Sequence, residues 1–189
     1  MHSVAQRVEA PPHWRPLVTV LTAGLGLIAL VLAAVPSGTA AGADDGQAPA
    51  ISDVALVKSS RTGEDSAGGL AVQDVAKLTY SWDAGSRARA GGTTTIDLGP
   101  HFTNLEAGFS APMSVARDNR VEEVGTCDLT EKTITCTFNG KADELRSAGF
   151  NDFRGRGEAL LLAAQQTGEA TTTMTTNGVD VAVSLPGEG

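Results

Sequence analysis

Val124–Gly140, VGTCDLTEKTITCTFNG, decides how the chain folds. With a tight turn at Glu131-Lys132, Thr130 faces Thr133, Leu129 faces Ile134, Asp128 faces Thr135 and Cys127 faces Cys136. Cys127, Leu129, Ile134, Cys136 and Phe138 then share one face, and Asp128, Thr130, Thr133, Thr135 and Thr137 share the other. One apolar and one polar face is the pattern of an antiparallel hairpin laid over a core. Glu-Lys is not a favoured two-residue turn, so a four-residue loop from Thr130 to Thr133 is equally allowed and keeps the same facing pairs. Opposed residues have Cα atoms about 4.5–5.5 Å apart, within disulfide reach. The parity therefore predicts a Cys127–Cys136 cross-strand disulfide, against the alternative of two free buried thiols. The spacing is not the C-x-x-C of a redox pair. The closed loop is short, so the bridge contributes about 2–3 kcal/mol at most.

Strand signals continue on both sides. In LAVQDVAKLTYSWDA (70–84), Ala76, Leu78, Tyr80 and Trp82 share one face, and Lys77, Thr79 and Ser81 the other. Tyr80 and Trp82 are read as core; the sharper alternative is an aromatic pair on a binding surface. ISDVALVKSS (51–60) reads as a first strand with Val54 and Leu56 on one face. TTTIDLGPHF (93–102) reads as a strand through Thr94, Ile96 and Leu98, ended by Gly99-Pro100. Residues 103–112 look like loop, and Met113 and Val115 a short strand closed by RDNR. TTTMTT and VDVAVSL flank Asn177-Gly178, the strongest hairpin dipeptide in the sequence. They predict strands at 170–176 and 179–185, with Val179, Val181, Val183 and Leu185 on one face.

Two stretches resist this reading. KADELRSAG (141–149) suggests one or two helical turns. GEALLLAAQQTGEA (157–170) is helical by propensity, yet its neighbours are sheet, so Leu160–Gln165 is expected as strand. Many short strands with regularly spaced turns indicate an all-β sandwich.

The N-terminus has another character. Arg7 and Arg15 precede an uncharged apolar run from Leu17 to Val35, and small polar residues follow. That is the order of a secretory signal peptide, 1–43, with an A-x-A site at Ala41-Gly42-Ala43 and a second option at Gly38-Thr39-Ala40. An uncleaved membrane anchor is the alternative, since the run reaches the roughly 18 residues that span a bilayer. Either way the remainder lies outside the membrane, in a disulfide-permissive compartment. Asp44–Ala50 reads as a flexible leader, and 51–186 as the domain. The 146 residues after Ala43 suffice for one core.

Composition excludes several functions. After Ala43 the chain carries 12 basic and 21 acidic residues, a net charge of −9 with no basic cluster. Nucleic acid is therefore a poor partner, and the membrane is engaged only through the signal segment. His101 is the single remaining histidine, and the two cysteines are explained by the hairpin, so no His/Cys metal centre is available. No nucleophile motif accompanies His101 and no phosphate loop is present. The adjacent acids Asp44-Asp45, Glu122-Glu123 and Asp143-Glu144 read as solvated faces. No catalytic residue, metal site or cofactor is expected.

Three segments, taken in order, resemble a family: KLTYSWDAGSRARAGGTTTIDLGPHF (77–102), the cysteine hairpin 124–140 and TTNGVDVAVSLPGEG (175–189). They are similar to the N-terminal Ig-like adhesive domain of Gram-positive cell-surface adhesins, the fibrinogen- and collagen-binding class, in its high-GC actinobacterial form. The shared elements are Trp82-Asp83-Ala84, Cys136-Thr137-Phe138, and Asn177-Gly178 leading to Leu185-Pro186-Gly187. The likeness spans Ile51 to Gly189. Gly91-Gly92-Thr93 departs from the usual Gly-Asp, and Leu98-Gly99-Pro100 from Leu-Pro.

The resemblance implies an Ig-like two-sheet β-sandwich behind a helical signal peptide. It also implies a non-catalytic adhesive function at the cell surface, with a host or matrix protein as ligand. Residues 187–189 resemble the start of a linker into a following Ig-like domain that is missing here, as is an L-P-x-T-G sorting signal. Ligand-binding residues transfer to no position. The thioester of related surface domains has no counterpart, and an isopeptide from Lys77 to Asn151 or Asn177 is weakly supported. A structural spacer or pilin-like module is the main alternative, and a secreted hydrolase using His101 a remote one.

Overall fold

The computed structural model describes residues 48–187. The expected signal peptide, the first part of the leader and the last two linker residues lie outside them. Strands β1 (Ala50–Ser59), β2 (Val75–Gly85), β3 (Thr93–Asp97), β4 (Phe102–Asn104), β5 (Ser110–Arg117), β6 (Arg120–Leu129) and β7 (Thr133–Phe138) precede helix α1 (Gly140–Ser147). Then come β8 (Phe153–Ala163), β9 (Thr171–Thr176) and β10 (Val179–Ser184). They form a four-stranded sheet, β1-β2-β8-β4, and a six-stranded sheet, β10-β9-β3-β7-β6-β5. Every pairing between named strands is antiparallel. The fold is an all-β two-sheet sandwich, and one cluster of inward side chains from both sheets forms its core.

The hairpin has the expected register: Cys127 opposite Cys136, Asp128 opposite Thr135, and Leu129 opposite Ile134. Its turn takes the four-residue form. Thr130 N donates to Thr133 O at 2.9 Å, and the two threonine hydroxyls meet at 2.7 Å. The Cys127 and Cys136 sulfurs are 2.09 Å apart, at disulfide distance, and the Cα atoms approach to 3.8 Å, closer than anticipated. β2 alternates as read: Ala76, Leu78, Tyr80, Trp82 and Ala84 are all buried. Tyr80 (4 % exposed) and Trp82 (3 %) are core residues.

Two hairpins turn on left-handed residues. Asp118 (φ 49°) and Asn119 (φ 61°) join β5 to β6, and Asn177 (φ 50°) and Gly178 (φ 82°) join β9 to β10. Two successive positive φ values give a turn whose twist matches the strands it connects. Helix α1 begins at Asn139, whose Oδ1 accepts from Lys141 N at 2.9 Å. It buries Ala142 and Leu145, where one or two turns were expected.

Several expectations are corrected. TTTIDLGPHF is not one strand. β3 ends at Asp97, Gly99-Pro100 carries the chain between sheets, and Phe102 opens β4 in the other sheet. Lys132, at the hairpin tip, fixes this crossing by donating to the carbonyls of Gly99 (3.2 Å), Pro100 (3.4 Å) and Phe102 (2.8 Å). Thr103 and Asn104 of β4 and the start of β5 lie within the stretch read as loop, and β5 is longer than foreseen. β8 begins at Phe153 and ends at Ala163, so the strand expected at Leu160–Gln165 is its C-terminal half, shifted. β1 carries a bulge between Ser52 and Ala55 with Asp53 at φ 51°. Leu56 is buried and Val54 only half so. On the edge strand β10, Val183 is buried, Val181 is half-buried and Val179 beside the turn is 65 % exposed; Leu185, just past the strand, is half-buried. Pro49, read as leader, is buried.

Candidate functional site

One open feature is the seam where β5, at the margin of one sheet, faces β8 of the other. Strand alternation sends Phe153, Gly155, Gly157, Ala159, Leu161 and Ala163 inward. Gly155 stands opposite Trp82 and Gly157 opposite Tyr80. These glycines are required by space. A Cβ at Gly157 would lie 2.2 Å from Tyr80 Cζ, and one at Gly155 would lie 2.7 Å from Trp82 Cζ2. The rings occupy the volume that side chains of β8 would otherwise fill.

β8 pairs with β2 along its whole length, but with β4 only over Leu161–Ala163. Ala163 N donates to Asp74 O, on the β2 side, and Leu105 N donates to Leu160 O, on the other. In an antiparallel ladder the sides alternate residue by residue. The N–H and C=O groups of Arg156 and Glu158 therefore point to the open margin, where no strand among the described residues meets them. The facing strand differs. Phe109 O accepts from Leu129 N at 3.0 Å, so the same alternation turns Pro112 away from β6. Pro112 has no N–H to offer, and proline is a common device for blunting a strand margin. The β5 wall thus lacks an outward N–H at Pro112, whereas the β8 wall offers the N–H and C=O of both Arg156 and Glu158.

Between the walls runs a trench of about 160 Å³ lined by Tyr80, Met113, Leu129, Ile134 and the β8 backbone at Gly157. On its floor the Tyr80 hydroxyl touches Cys127 Sγ at 3.9 Å and Cys136 Sγ at 3.7 Å. Burial pushes its pKa up to about 12, so it remains a neutral phenol. Phe109, 70 % exposed, stands where the chain enters β5. On the outer face β8 presents exposed Arg154, Arg156 and Glu158; Arg154 pairs with Asp152 at 2.7 Å.

The other residues singled out by sequence are not brought together. His101 lines a separate cavity with Leu70, Phe102 and Gln165, and its buried Nδ1 has no hydrogen-bond partner among the described residues. Glu122 and Glu123 are consecutive in β6 and point to opposite faces. Asp143 pairs with Arg146 at 3.2 Å and Glu144 with Lys141 at 3.1 Å, while Asp44-Asp45 lies outside the described residues. Among the described residues no group of three or more His, Cys, Asp or Glu side chains is arranged to hold a metal. Lys77 is raised above its ordinary pKa by its bond to Asp65 and does not reach for an asparagine. Asn177 is engaged with Thr94, Thr95 and Pro49.

Gly155, Gly157, Pro112 and Phe109 escaped the sequence reading. A signal was present for the glycines: they recur at spacing two, the strand period, and Tyr80 and Trp82 share that spacing.

No protein-family model matches the chain, and no curated protein matches it. Among solved structures the chain is similar to the crystal structure of a collagen adhesin (CNA) from S. aureus. The TM-score is 0.46 at 15 % identity, covering 72 % of this chain and 42 % of that one. This chain thus spans about two fifths of its solved relative, and no residue role is transferred from it.

Proposed function

We propose that the domain is a non-catalytic adhesive module, exported and displayed at a bacterial cell surface, which takes up an extended segment of a host or matrix protein as an added strand on β8. The observation that carries this reading is the unpaired margin at Arg156 and Glu158 beside a trench lined by Tyr80, Met113, Leu129 and Ile134. An incoming strand satisfies those backbone groups, and its alternate side chains enter the trench. Main-chain bonds then supply affinity and the trench selects side chains. The signal-peptide pattern and the resemblance to surface adhesins support the location and the class of ligand. A following domain that completes the grip belongs to the same reading.

The test is a binding screen of the secreted chain against matrix and plasma proteins, with hydrogen exchange read at each amide. Slowed exchange at Arg156 and Glu158 in a complex supports strand addition. Glu158→Pro deletes an N–H that no internal bond uses. With melting unchanged, it should weaken binding about tenfold or more, whereas Glu158→Ala should bind normally. Ligand binding that protects neither amide overturns the strand-addition site. Absence of any ligand, with the following domain attached, favours a spacer that displays other domains.

A further inference from the structure

Asn177-Gly178 is the β9–β10 turn, and it is also a point of chemical reactivity. A side-chain amide followed by glycine is the sequence in which a backbone nitrogen most easily reaches the preceding Cγ, because no Cβ stands in the way. Gly178 is exposed, and the space beside its Cα is open. The nucleophile is therefore accessible. The electrophile is held. Asn177 Oδ1 accepts from Thr95 N and from Thr94 Oγ1, each at 2.9 Å, and Asn177 Nδ2 donates to Pro49 O at 2.8 Å. Asn177 N donates to Thr95 O, also at 2.9 Å. Ring closure must turn Cγ toward Gly178 N and break all three side-chain bonds. The Nδ2 bond, through Asn177's ties to Thr94 and Thr95, fastens Pro49, where the chain enters β1, onto β3; the Thr94 hydroxyl also lies 3.2 Å from the Pro49 carbonyl, with one proton to share between it and Asn177 Oδ1.

We propose that Asn177 is a deamidation site restrained by the folded domain, and that its conversion unfastens the entry of β1. The Gly178 nitrogen, after losing its proton to solvent base, forms a bond to Asn177 Cγ. The Cγ–Nδ2 bond breaks and the nitrogen leaves as ammonia with solvent protons. Water then opens the resulting succinimide at either carbonyl, giving aspartate or isoaspartate. Aspartate places an oxygen where Nδ2 donated, so an acceptor faces the Pro49 carbonyl. Isoaspartate adds a methylene to the backbone and disrupts the turn itself.

The experiment incubates the mature chain at mildly alkaline pH and follows the 171–187 peptide by mass spectrometry, with chromatography to separate isoaspartate. The folded protein should convert at least about tenfold more slowly than the same protein in denaturant, as the loss of three hydrogen bonds on opening implies. Thr94→Val, which removes one donor, should fall between them. Hydrogen exchange at Ala50–Ser52 should be faster in the converted fraction, and likewise in Asn177→Asp. Equal rates in folded and unfolded chains overturn the restraint. Unchanged exchange at Ala50–Ser52 in the converted protein overturns the unfastening, and the aged wild type supplies that reading even where Asn177→Asp does not fold.

Discussion

The β6–β7 hairpin and strand β8 line the same trench, yet they are strands for different reasons. The hairpin carries its structure in its own residues: strict alternation, opposed cysteines and a threonine-closed turn. β8 carries almost none. Its C-terminal half, ALLLA, is apolar without a period, because both faces are covered there. The core takes Leu161, and Leu160 on the outer face lies under the Ser60–Gly69 loop, with Cδ2 4.0 Å from where a Gly63 Cβ would sit. A strand covered on both sides reads as a continuous apolar run, which periodicity cannot separate from a helix. After Phe153, the stretch RGRGE (154–158) has only glycines at its inward positions. One region specifies a conformation; the other is given one by Tyr80, Trp82 and the length of β2.

The sharpest way to break this contrast is to give β8 a side chain of its own. Gly157→Val places a Cβ against the Tyr80 ring, which cannot retreat because the cysteine sulfurs lie behind its hydroxyl. We expect a loss of about 3 kcal/mol or more, read by urea denaturation, whereas Gly168→Ala, in open space, should be silent. A Gly157→Val protein as stable as wild type would show that the aromatic packing against β8 is loose.

A smaller effect tests the hairpin. Replacing Cys127 and Cys136 by serine should cost about 2–3 kcal/mol while leaving the cross-strand register intact by NMR, since Leu129 and Ile134 still require it. A register slip in the double mutant would mean that the bridge, and not the alternation, fixes the pairing.

The smallest effect concerns the anchoring of β8 at its far end. Asp74 takes Ala163 N on its backbone carbonyl, and its carboxylate pairs with Lys58 at 2.7 Å and accepts from Ala71 N at 2.9 Å. The Lys58 bond first, and the Ala71 bond second, hold its pKa below the ordinary 3.8. Because the folded carboxyl titrates below its unfolded value, this tie contributes fully above that value and is lost as the pH falls through the folded pKa. The protection of the Ala163 amide, its exchange rate relative to the unfolded chain at the same pH, should therefore fall on acidification below about pH 4, and Asp74→Asn should remove that dependence. An identical acid response in Asp74→Asn would assign it elsewhere.

Sequence disclosed what is local. The hairpin register, the inward row of β2 and the β9–β10 turn depend on neighbours in the chain, and all are legible. The split of TTTIDLGPHF into two strands of different sheets is not, because Lys132, thirty residues on, holds the crossing. The bulge at Asp53 and the exposure of Val179 depend on which strands become margins, a property of topology alone. The candidate site is harder still. It consists of absences: two missing side chains, a missing N–H at Pro112 and, among the described residues, a missing partner strand. None acquires meaning until the sheets are assembled.

The fastening at Pro49 has a mechanical side. The chain enters β1 beside the β9–β10 turn and leaves β10 at the opposite end, where Gly187 lies against Gly68 and Gly69. Tension between these points runs along β1 and loads its hydrogen bonds to β2 together, in shear, instead of peeling them one at a time. Asn177 sits at the upstream grip of that load path, so its deamidation, as proposed above, should lower the pull at which β1 begins to slip.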